Sequence, residues 1–193
     1  LALEDLARAW RKVGDTTQAD QLDARAASLA RAMIRDLWSD ELNLFVGYDH
    51  VGARQLQVPT LGGIIAAASH NMQGAGYAGR IVEAHLNPET SRFWGSHGLA
   101  FNPLDGLPIN PKALLWRGEV VWGATQYWGY LVLSRNGDEA LARLAAQQMA
   151  DLISVSGFRE FYSATTGEGF GAGTEGGFTW PALVLDMAPR RPA

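Results

Sequence analysis

The sequence predicts an all-α fold with minor short strands in its loops. Apolar residues recur at intervals of three and four along most of the chain, and tight turns alternate with long loops between these periodic segments. The 193 residues are 47% hydrophobic and 19% charged, which is enough for one domain with a sizeable core. We therefore expect stacked helical hairpins that carry long loops at one end.

The N-terminal part is predicted to form the first of these hairpins. Helical spacing covers residues 3–10, is broken by Gly14, and resumes over 19–37 behind a cap at Asp15 or Thr16. In the middle of the chain, residues 38–58 combine a turn with short β-like runs.

Four further helices are predicted beyond this point. One begins after a cap at Thr60 and ends near residue 69, and the others cover 75–86, 119–135 and 138–156. A last short helix is expected over residues 179–187, with Pro181 in its first turn. Residues 89–117 form a long irregular stretch, of the kind that is usually functional or disordered inside a compact domain.

The segment 157–180 carries the clearest chemical signal, and we call it the acidic-aromatic segment. It holds three acids among six aromatic rings on a glycine-rich backbone: Glu160, Glu168 and Glu175 with Phe158, Phe161, Tyr162, Phe170, Phe178 and Trp180. Loops on a rigid frame are where binding and catalysis concentrate. Because carboxylates beside stacking rings suit hydrolysis of a sugar linkage, this segment is the candidate site.

The bulk composition excludes several classes of partner and cofactor. The net charge is −4 without a cluster of Lys or Arg, which argues against nucleic acid, and no apolar run reaches the roughly 18 residues of a membrane span. The chain has no cysteine, and its four histidines lack ligand spacing, so we expect neither a metal nor a cofactor. A glycine run over 171–176 matches a dinucleotide fingerprint by letter, but the required βαβ context is missing.

Five motifs occur in order along the chain: LWSDELNLFVGYDH, VPTLGGIIAAAS, NPKALLWRGEVVWGATQYW, GFREFYSATTGEGFGAG and FTWPALVLD. Together they resemble the C-terminal part of bacterial inverting glycosidases of the trehalase, processing α-glucosidase and mannosylglycerate hydrolase type. Those enzymes fold as an (α/α)6 toroid of six hairpins. The resemblance implies that residues 1–193 are the C-terminal portion of one such catalytic domain, about half of the toroid.

The resemblance also implies roles for individual residues. The general base of the family is the Glu of a Glu-Tyr-Tyr motif, which corresponds to Glu160. The residues expected to bind the substrate are Trp116, Arg117, Trp122, Tyr162 and Trp180. The general acid of the family is an Asp in a Gly-x-Asp-Asn-Ser-Pro-like motif, which this sequence lacks, so we expect the acid in an upstream part of the protein.

The sequence departs from the family pattern at several positions near these residues. The Pro that follows Arg-Gly in the family is replaced by Glu119-Val120, which adds one residue before Trp122. The first Tyr of Glu-Tyr-Tyr is Phe161, and Ser163-Ala164 stands where an acid-Pro pair usually follows.

The function implied is inverting hydrolysis of an α-glucosidic or α-mannosidic linkage in a small saccharide or a glycosylglycerate. Two other functions stay open: a helical module that binds a glycan without cleaving it, and a sugar epimerase or isomerase that works through histidines on the same toroid. The expected partners are a small saccharide substrate and the remainder of the same catalytic domain. We expect a cytoplasmic protein whose true N-terminus precedes Leu1.

The candidate residues also have purely structural interpretations. From composition alone, Glu160 is an ordinary exposed acid at a helix exit and Trp122 is a core residue; the resemblance favours the general base for Glu160. Arg117 either clamps a substrate hydroxyl or carboxylate, or pairs with Glu119 or Asp105. Glu168, between two glycines, is favoured as a turn residue.

Overall fold

The computed structural model describes residues 1–106, 117–171 and 177–188. The α-helices in this part of the chain are α1 (Ala2–Lys12), α2 (Thr16–Leu37), α3 (His70–Gly74), α4 (Tyr77–Ile81), α5 (Gly123–Arg135), α6 (Glu139–Ser156) and α7 (Val184–Met187). A π-helical turn, Val82–Leu86, continues α4, and three 3-10 turns cover Leu61–Gly63, Ile65–Ala68 and Trp180–Leu183. The prediction of a mainly helical chain is confirmed.

Short antiparallel strands connect the helices. The two-stranded pairs are β1 (Trp38–Ser39) with β2 (Leu44–Phe45), β3 (Gly47–Asp49) with β4 (Arg54–Leu56), and β5 (Trp94–Gly95) with β6 (Gly98–Leu99). A three-stranded sheet has the order β7 (Val120–Trp122), β8 (Phe161–Ser163), β9 (Gly169–Phe170). This sheet joins the start of α5 to the acidic-aromatic segment.

Two aspartates cap the long helices α2 and α6, and Asp15 is one of the two caps expected before α2. The side chain of Asp15 accepts a hydrogen bond from the Gln18 N–H at 2.9 Å, and that of Asp138 accepts one from the Leu141 N–H at 3.1 Å. Such caps satisfy amide groups that have no partner within the helix and contribute about 1 kcal/mol each. They set the turns between α1 and α2 and between α5 and α6, which pack pairwise.

The main core lies between α5, α6, the short middle helices and the sheets. Val132 and Leu133 of α5 and Met149 and Leu152 of α6 are almost fully buried in it. A smaller cluster of Ala7, Ala19 and Leu22 holds α1 on α2. The third cluster, Val120, Trp122 and Phe161, lies on one face of the three-stranded sheet.

The helix predicted from Thr60 to about residue 69 is two 3-10 turns instead. A Cβ atom added at Gly63 would lie 2.2 Å from the Phe45 carbonyl oxygen and 2.8 Å from Leu44 Cγ, so the backbone packs directly on β2. The turns end at Ser69, whose backbone is extended. This close approach and the paired glycines explain why the apolar period does not give a regular helix here.

The predicted start of the fifth helix at Glu119 is also wrong, because residues 120–122 form β7. Val120 pairs with Ser163, Val121 with Tyr162, and Trp122 with Phe161. The acidic-aromatic segment is therefore not wholly irregular, since part of it supplies β8 and β9. Neighbours in the sheet override the local helical spacing, as β-branched residues readily allow.

A buried carboxylate fixes the chain start against the middle of the fold. Glu4 is 5% exposed and accepts hydrogen bonds from the Ser69 hydroxyl at 2.7 Å, the Asn71 side-chain amide at 2.5 Å and the N–H groups of His70 and Asn71. Burial, the largest single influence, raises its pKa, but the hydrogen bonds from Ser69 and Asn71 together outweigh burial and leave the pKa below its ordinary value.

Replacing Glu4 with Gln should weaken the acid sensitivity of the fold. Because the pKa of Glu4 is lower in the folded chain than in the unfolded chain, its contribution is complete above the ordinary value of 4.5 and is lost as the pH falls through the lowered value. We expect the free energy of unfolding in urea, measured from about pH 7 to about pH 3, to fall more steeply for the wild type than for Glu4→Gln. Glu139→Gln, at an exposed first-turn position of α6, is the control, and parallel curves for Glu4→Gln and the wild type would contradict the assignment.

None of the described helices is long and apolar enough to cross a bilayer. Within residues 1–106, 117–171 and 177–188, no group of three or more His, Asp or Glu side chains is arranged to hold a metal ion.

Candidate active site

A cleft of about 720 Å³ opens beside the N-terminal end of α5. Its walls come from β4 and the residues after it, from residues 101–102, and from the 3-10 turn that begins at Trp180. Three of the predicted substrate-binding residues, Arg117, Trp122 and Trp180, line it together. The lining is largely apolar with few polar groups, which is typical of small-molecule sites.

Five rings form a continuous row from the cleft into the acidic-aromatic segment, and we call it the aromatic row. In order they are Phe170, Phe161, Trp122, Trp180 and Phe178. Neighbouring ring centroids lie 6.0, 5.7, 5.1 and 5.1 Å apart, which is within the range of favourable aromatic pairs. Trp180 is 39% exposed, so the row offers an open indole surface at the cleft.

The register of the three-stranded sheet produces this row. Trp122 pairs with Phe161 and Phe161 with Phe170, and residues directly opposite each other in a sheet share a face. Tyr162 and Val121 pair next to them and, because side chains alternate along a strand, point into the main core. The aromatic row and the core packing are therefore two faces of the same sheet.

Gly123 allows Trp180 to reach its neighbour in the row. A Cβ atom at this first residue of α5 would lie 2.7 Å from the Trp180 carbonyl carbon and 2.8 Å from Pro181 N. No side chain fits in that space. The C-terminal 3-10 turn thus lies directly on the start of α5, and the Trp122 and Trp180 rings meet at 5.1 Å.

Glu160 lies beside Phe161, two rings away from Trp180 in the row, and is not among the residues that line the cleft. It is half-buried and directly precedes β8. A Cβ atom added at Gly171 would lie 2.5 Å from Glu160 Oε2 and 2.9 Å from Phe161 Cε1. The carboxylate and this ring edge therefore both lie against the backbone of Gly171. The carboxylate therefore lies beside Phe161, which contacts Trp122.

Tyr162 is an internal support, which corrects its prediction as a substrate contact. Its side chain is 0% exposed, and burial raises the pKa of its hydroxyl. The hydroxyl donates a hydrogen bond to the Gly157 carbonyl at 2.7 Å and accepts one from the Arg159 N–H at 3.0 Å. Both bonds tie the end of α6 to β8. No local pattern indicates this role, because alternation around a strand that was not predicted decides which face Tyr162 takes.

Arg117 is exposed on the cleft wall, on a backbone held by Asn102. The Asn102 side chain accepts a hydrogen bond from the Gly118 N–H at 2.7 Å and donates one to the Pro59 carbonyl at 3.0 Å. Asp105, one of the two predicted partners of Arg117, pairs with Arg92 at 2.8 Å. Asn102 was missed by sequence reasoning, because a single Asn in a long irregular stretch carries no pattern.

The predictions for Glu168, Trp116 and Glu175 complete the comparison of the predicted residues with the structure. Glu168 is exposed in the connection between β8 and β9, and its carbonyl accepts a hydrogen bond from the Ser163 N–H at 2.8 Å, which confirms the turn interpretation. Trp116 and Glu175 lie outside the described residues.

Comparison with solved structures supports the fold. The crystal structure of a mannosylglycerate hydrolase from Thermus thermophilus in complex with Tris matches with a TM-score of 0.73 at 22% identity, over 96% of this chain and 42% of that chain. Neutral trehalase from Saccharomyces cerevisiae matches with a TM-score of 0.66 at 20% identity, over 89% of this chain and 31% of that chain. Both neighbours are six-hairpin toroid enzymes, and the described helices are consistent with part of such a toroid.

Comparison of sequences agrees with this assignment. A mannosylglycerate hydrolase from Rubrobacter radiotolerans is 27% identical over 188 residues, which cover 96% of this chain and 41% of the relative. The chain thus spans about two fifths of the length of the Rubrobacter relative and of the Thermus crystal structure. Residues 1–181 match the family described as mannosylglycerate hydrolase MGH1-like glycoside hydrolase domain. The chain belongs to this MGH1-like glycoside hydrolase family.

Proposed function

We propose that this chain is the C-terminal part of an inverting glycoside hydrolase domain in which Glu160 is the general base. The substrate is an α-linked glucoside or mannoside of small size, and a glycosylglycerate is the favoured case. The observation that carries the proposal is the aromatic row, which links the Glu160 carboxylate to an open cleft lined by Trp122, Trp180 and Arg117. Membership of the family and the name of the Rubrobacter relative support the same reaction class.

The cleft suits a sugar joined to an anionic group. The exposed indole of Trp180 presents a flat apolar surface for a sugar ring, and hydrophobic faces with a few polar groups are what such ligands need. Arg117 also lines the cleft, and its guanidinium group is of the kind that binds a carboxylate through two parallel hydrogen bonds. A glycosylglycerate has both features, whereas a neutral disaccharide uses only the first.

In the proposed reaction Glu160 takes a proton from a water molecule that attacks the anomeric carbon. An inverting hydrolase needs a second carboxyl group, roughly 6.5–9.5 Å away, that protonates the leaving oxygen. We propose that this acid belongs to the part of the domain beyond the two fifths matched here. The half-buried carboxylate lies beside Phe161, and we propose that the attacking water binds on this side of the aromatic row.

The epimerase alternative has less support in the structure. Such enzymes would need histidines in the cleft, and none of the four histidines is among its lining residues in the described part of the chain. Instead, His85 Nε2 donates a hydrogen bond to the Leu42 carbonyl at 2.8 Å, and burial lowers the pKa of His85. The glycan-binding module remains an alternative that the first experiment below separates from the hydrolase.

We further propose that the remainder of the domain covers an apolar groove of about 440 Å³ between α1, α2 and the first 3-10 turns. Leu29 and Met33 of α2 line the groove, and Leu29 is 54% exposed. More than half of the length of the matched relatives lies outside the matched region, which supplies an occupant for this surface. A cytoplasmic location stays a prediction.

Glu160→Gln in the complete domain should abolish turnover while sugar binding stays within about tenfold, because the change removes a base but little contact area. We expect kcat to fall by about 10² to 10⁴, measured against mannosylglycerate, glucosylglycerate and trehalose. Glu168→Gln, on the exposed turn between β8 and β9, is the matched control with unchanged kcat. Wild-type kcat in Glu160→Gln would refute the role, and binding without any turnover in the unmutated protein would favour the glycan-binding module.

Trp180→Ala should raise KM about three- to tenfold, because loss of one stacking surface costs about 1 kcal/mol of binding free energy. The matched control is Trp10→Ala, since Trp10 on α1 is 37% exposed and Trp180 is 39% exposed. Equal KM values for the two variants in steady-state kinetics would remove Trp180 from the binding surface.

The 193-residue chain produced alone should be inactive and should self-associate, because the groove exposes apolar side chains to solvent. Leu29→Gln should reduce the self-association measured by light scattering. Val155→Gln, on α6 away from the groove and 72% exposed, should not reduce it. A monodisperse, active preparation of the unmodified chain would contradict the proposed partner surface.

A further inference from the structure

We propose that Gly171 and Tyr162 are positioning residues that fix the Glu160 carboxylate from two sides. This inference rests on the proposed role of Glu160 as the general base.

Tyr162 holds the backbone that leads into Glu160. Its hydroxyl bridges the Gly157 carbonyl and the Arg159 N–H, at 2.7 and 3.0 Å, and closes residues 157–162 into a small ring. The phenol is fully buried, so this bridge cannot move without opening the core. Arg159 is held a second time, because its Nε donates to the Ser156 carbonyl at 2.7 Å. The residue before the proposed base therefore has a fixed position.

Gly171 provides the surface on which the carboxylate lies. The pairing of Phe161 with Phe170 continues by one residue to place Gly171 opposite Glu160. A Cβ atom at Gly171 would lie 2.5 Å from Glu160 Oε2 and 2.8 Å from Glu160 Cβ, closer than real side chains approach. Any other residue at 171 must displace the carboxylate. Its φ of +78° separately favours glycine, so the test has to distinguish backbone strain from the lost space.

The expected consequence is confined to the chemical step. A displaced base no longer meets the attacking water at the required geometry, and a misplacement of about 1 Å can cost about 10² in rate. The same Cβ would lie 2.9 Å from Phe161 Cε1, but Phe161 does not line the cleft. Trp180 and Arg117, which do line it, are not among the nearest atoms, so binding should persist. A residue that only stabilised the fold would lower the fraction of active protein, which also lowers the apparent kcat at constant KM. The value of kcat is therefore expressed per folded molecule, and a loss that persists after this correction belongs to the chemical step.

The central experiment compares Gly171→Ala with Gly177→Ala in the complete domain. Gly177 has a φ of +85°, so both variants carry the same kind of backbone strain, but the nearest atom to a Cβ at Gly177 is Phe158 Cβ at 3.7 Å, an ordinary contact. We expect Gly171→Ala to lower kcat by about 10- to 100-fold with KM within about threefold, and Gly177→Ala to keep both constants near the wild-type values. An equal loss of kcat in the two variants would overturn the proposal.

Tyr162→Phe is the second test, and it keeps the inference falsifiable if Gly171→Ala fails to fold. It removes one oxygen and both hydrogen bonds but retains the buried ring, so kcat should fall at least about fivefold with KM little changed. Tyr127→Phe is the control, because it also removes a hydroxyl hydrogen bond, to Asp186. Equal kcat values in Tyr162→Phe and Tyr127→Phe, at equal unfolding midpoints, would overturn the role of Tyr162.

Glu160→Gln separates failure of this inference from failure of the proposed function. If Glu160→Gln loses turnover while Gly171→Ala and Tyr162→Phe keep it, only the positioning roles are wrong. If Glu160→Gln retains turnover, the proposed base is wrong and the positioning roles are overturned with it.

Discussion

The pairing of β7 with β8 is the interaction on which the site depends. It joins two parts of the chain that are about forty residues apart in sequence, since Trp122 is opposite Phe161. One face of the pair carries the aromatic row and the other supplies Val121 and Tyr162 to the core. The same hydrogen-bonded ladder therefore stabilises the fold and sets the spacing of the rings. A shift of one residue would exchange the two faces and place Tyr162 in the row.

Features that depend only on residues close together in the sequence were predictable from the sequence. The aspartates at 15 and 138 cap their helices because a side-chain oxygen reaches an amide three residues on, a contact that spacing alone reveals. The order of weak motifs identified the family and selected Arg117, Trp122 and Trp180, which share one cleft. No single motif was specific for the family, but the order of the motifs along the chain was.

Features that depend on distant parts of the chain were not predictable in this way. Periodicity extended the fifth helix to residue 119, because nothing local shows that Val120 and Val121 have strand partners at 162 and 163. The resemblance placed Tyr162 among the substrate contacts, whereas its hydroxyl is used within the protein, because Tyr162 lies on the core face of a strand that no local pattern predicts. The contact of Gly171 with the Glu160 carboxylate depends on the register of β8 and β9, which is defined only in the folded sheet. The close approach of Gly63 to β2 likewise replaces a regular helix with 3-10 turns.

The acidic-aromatic segment is anchored on both sides of residues 172–176. On one side Gly171 lies against Glu160, and on the other the Phe178 N–H donates a hydrogen bond to the Phe158 carbonyl at 3.0 Å. These two contacts hold the chain on either side of the five residues 172–176. The distance between the proposed base and the Trp180 indole is therefore set by backbone contacts that both ends of the segment make with residues 158–161.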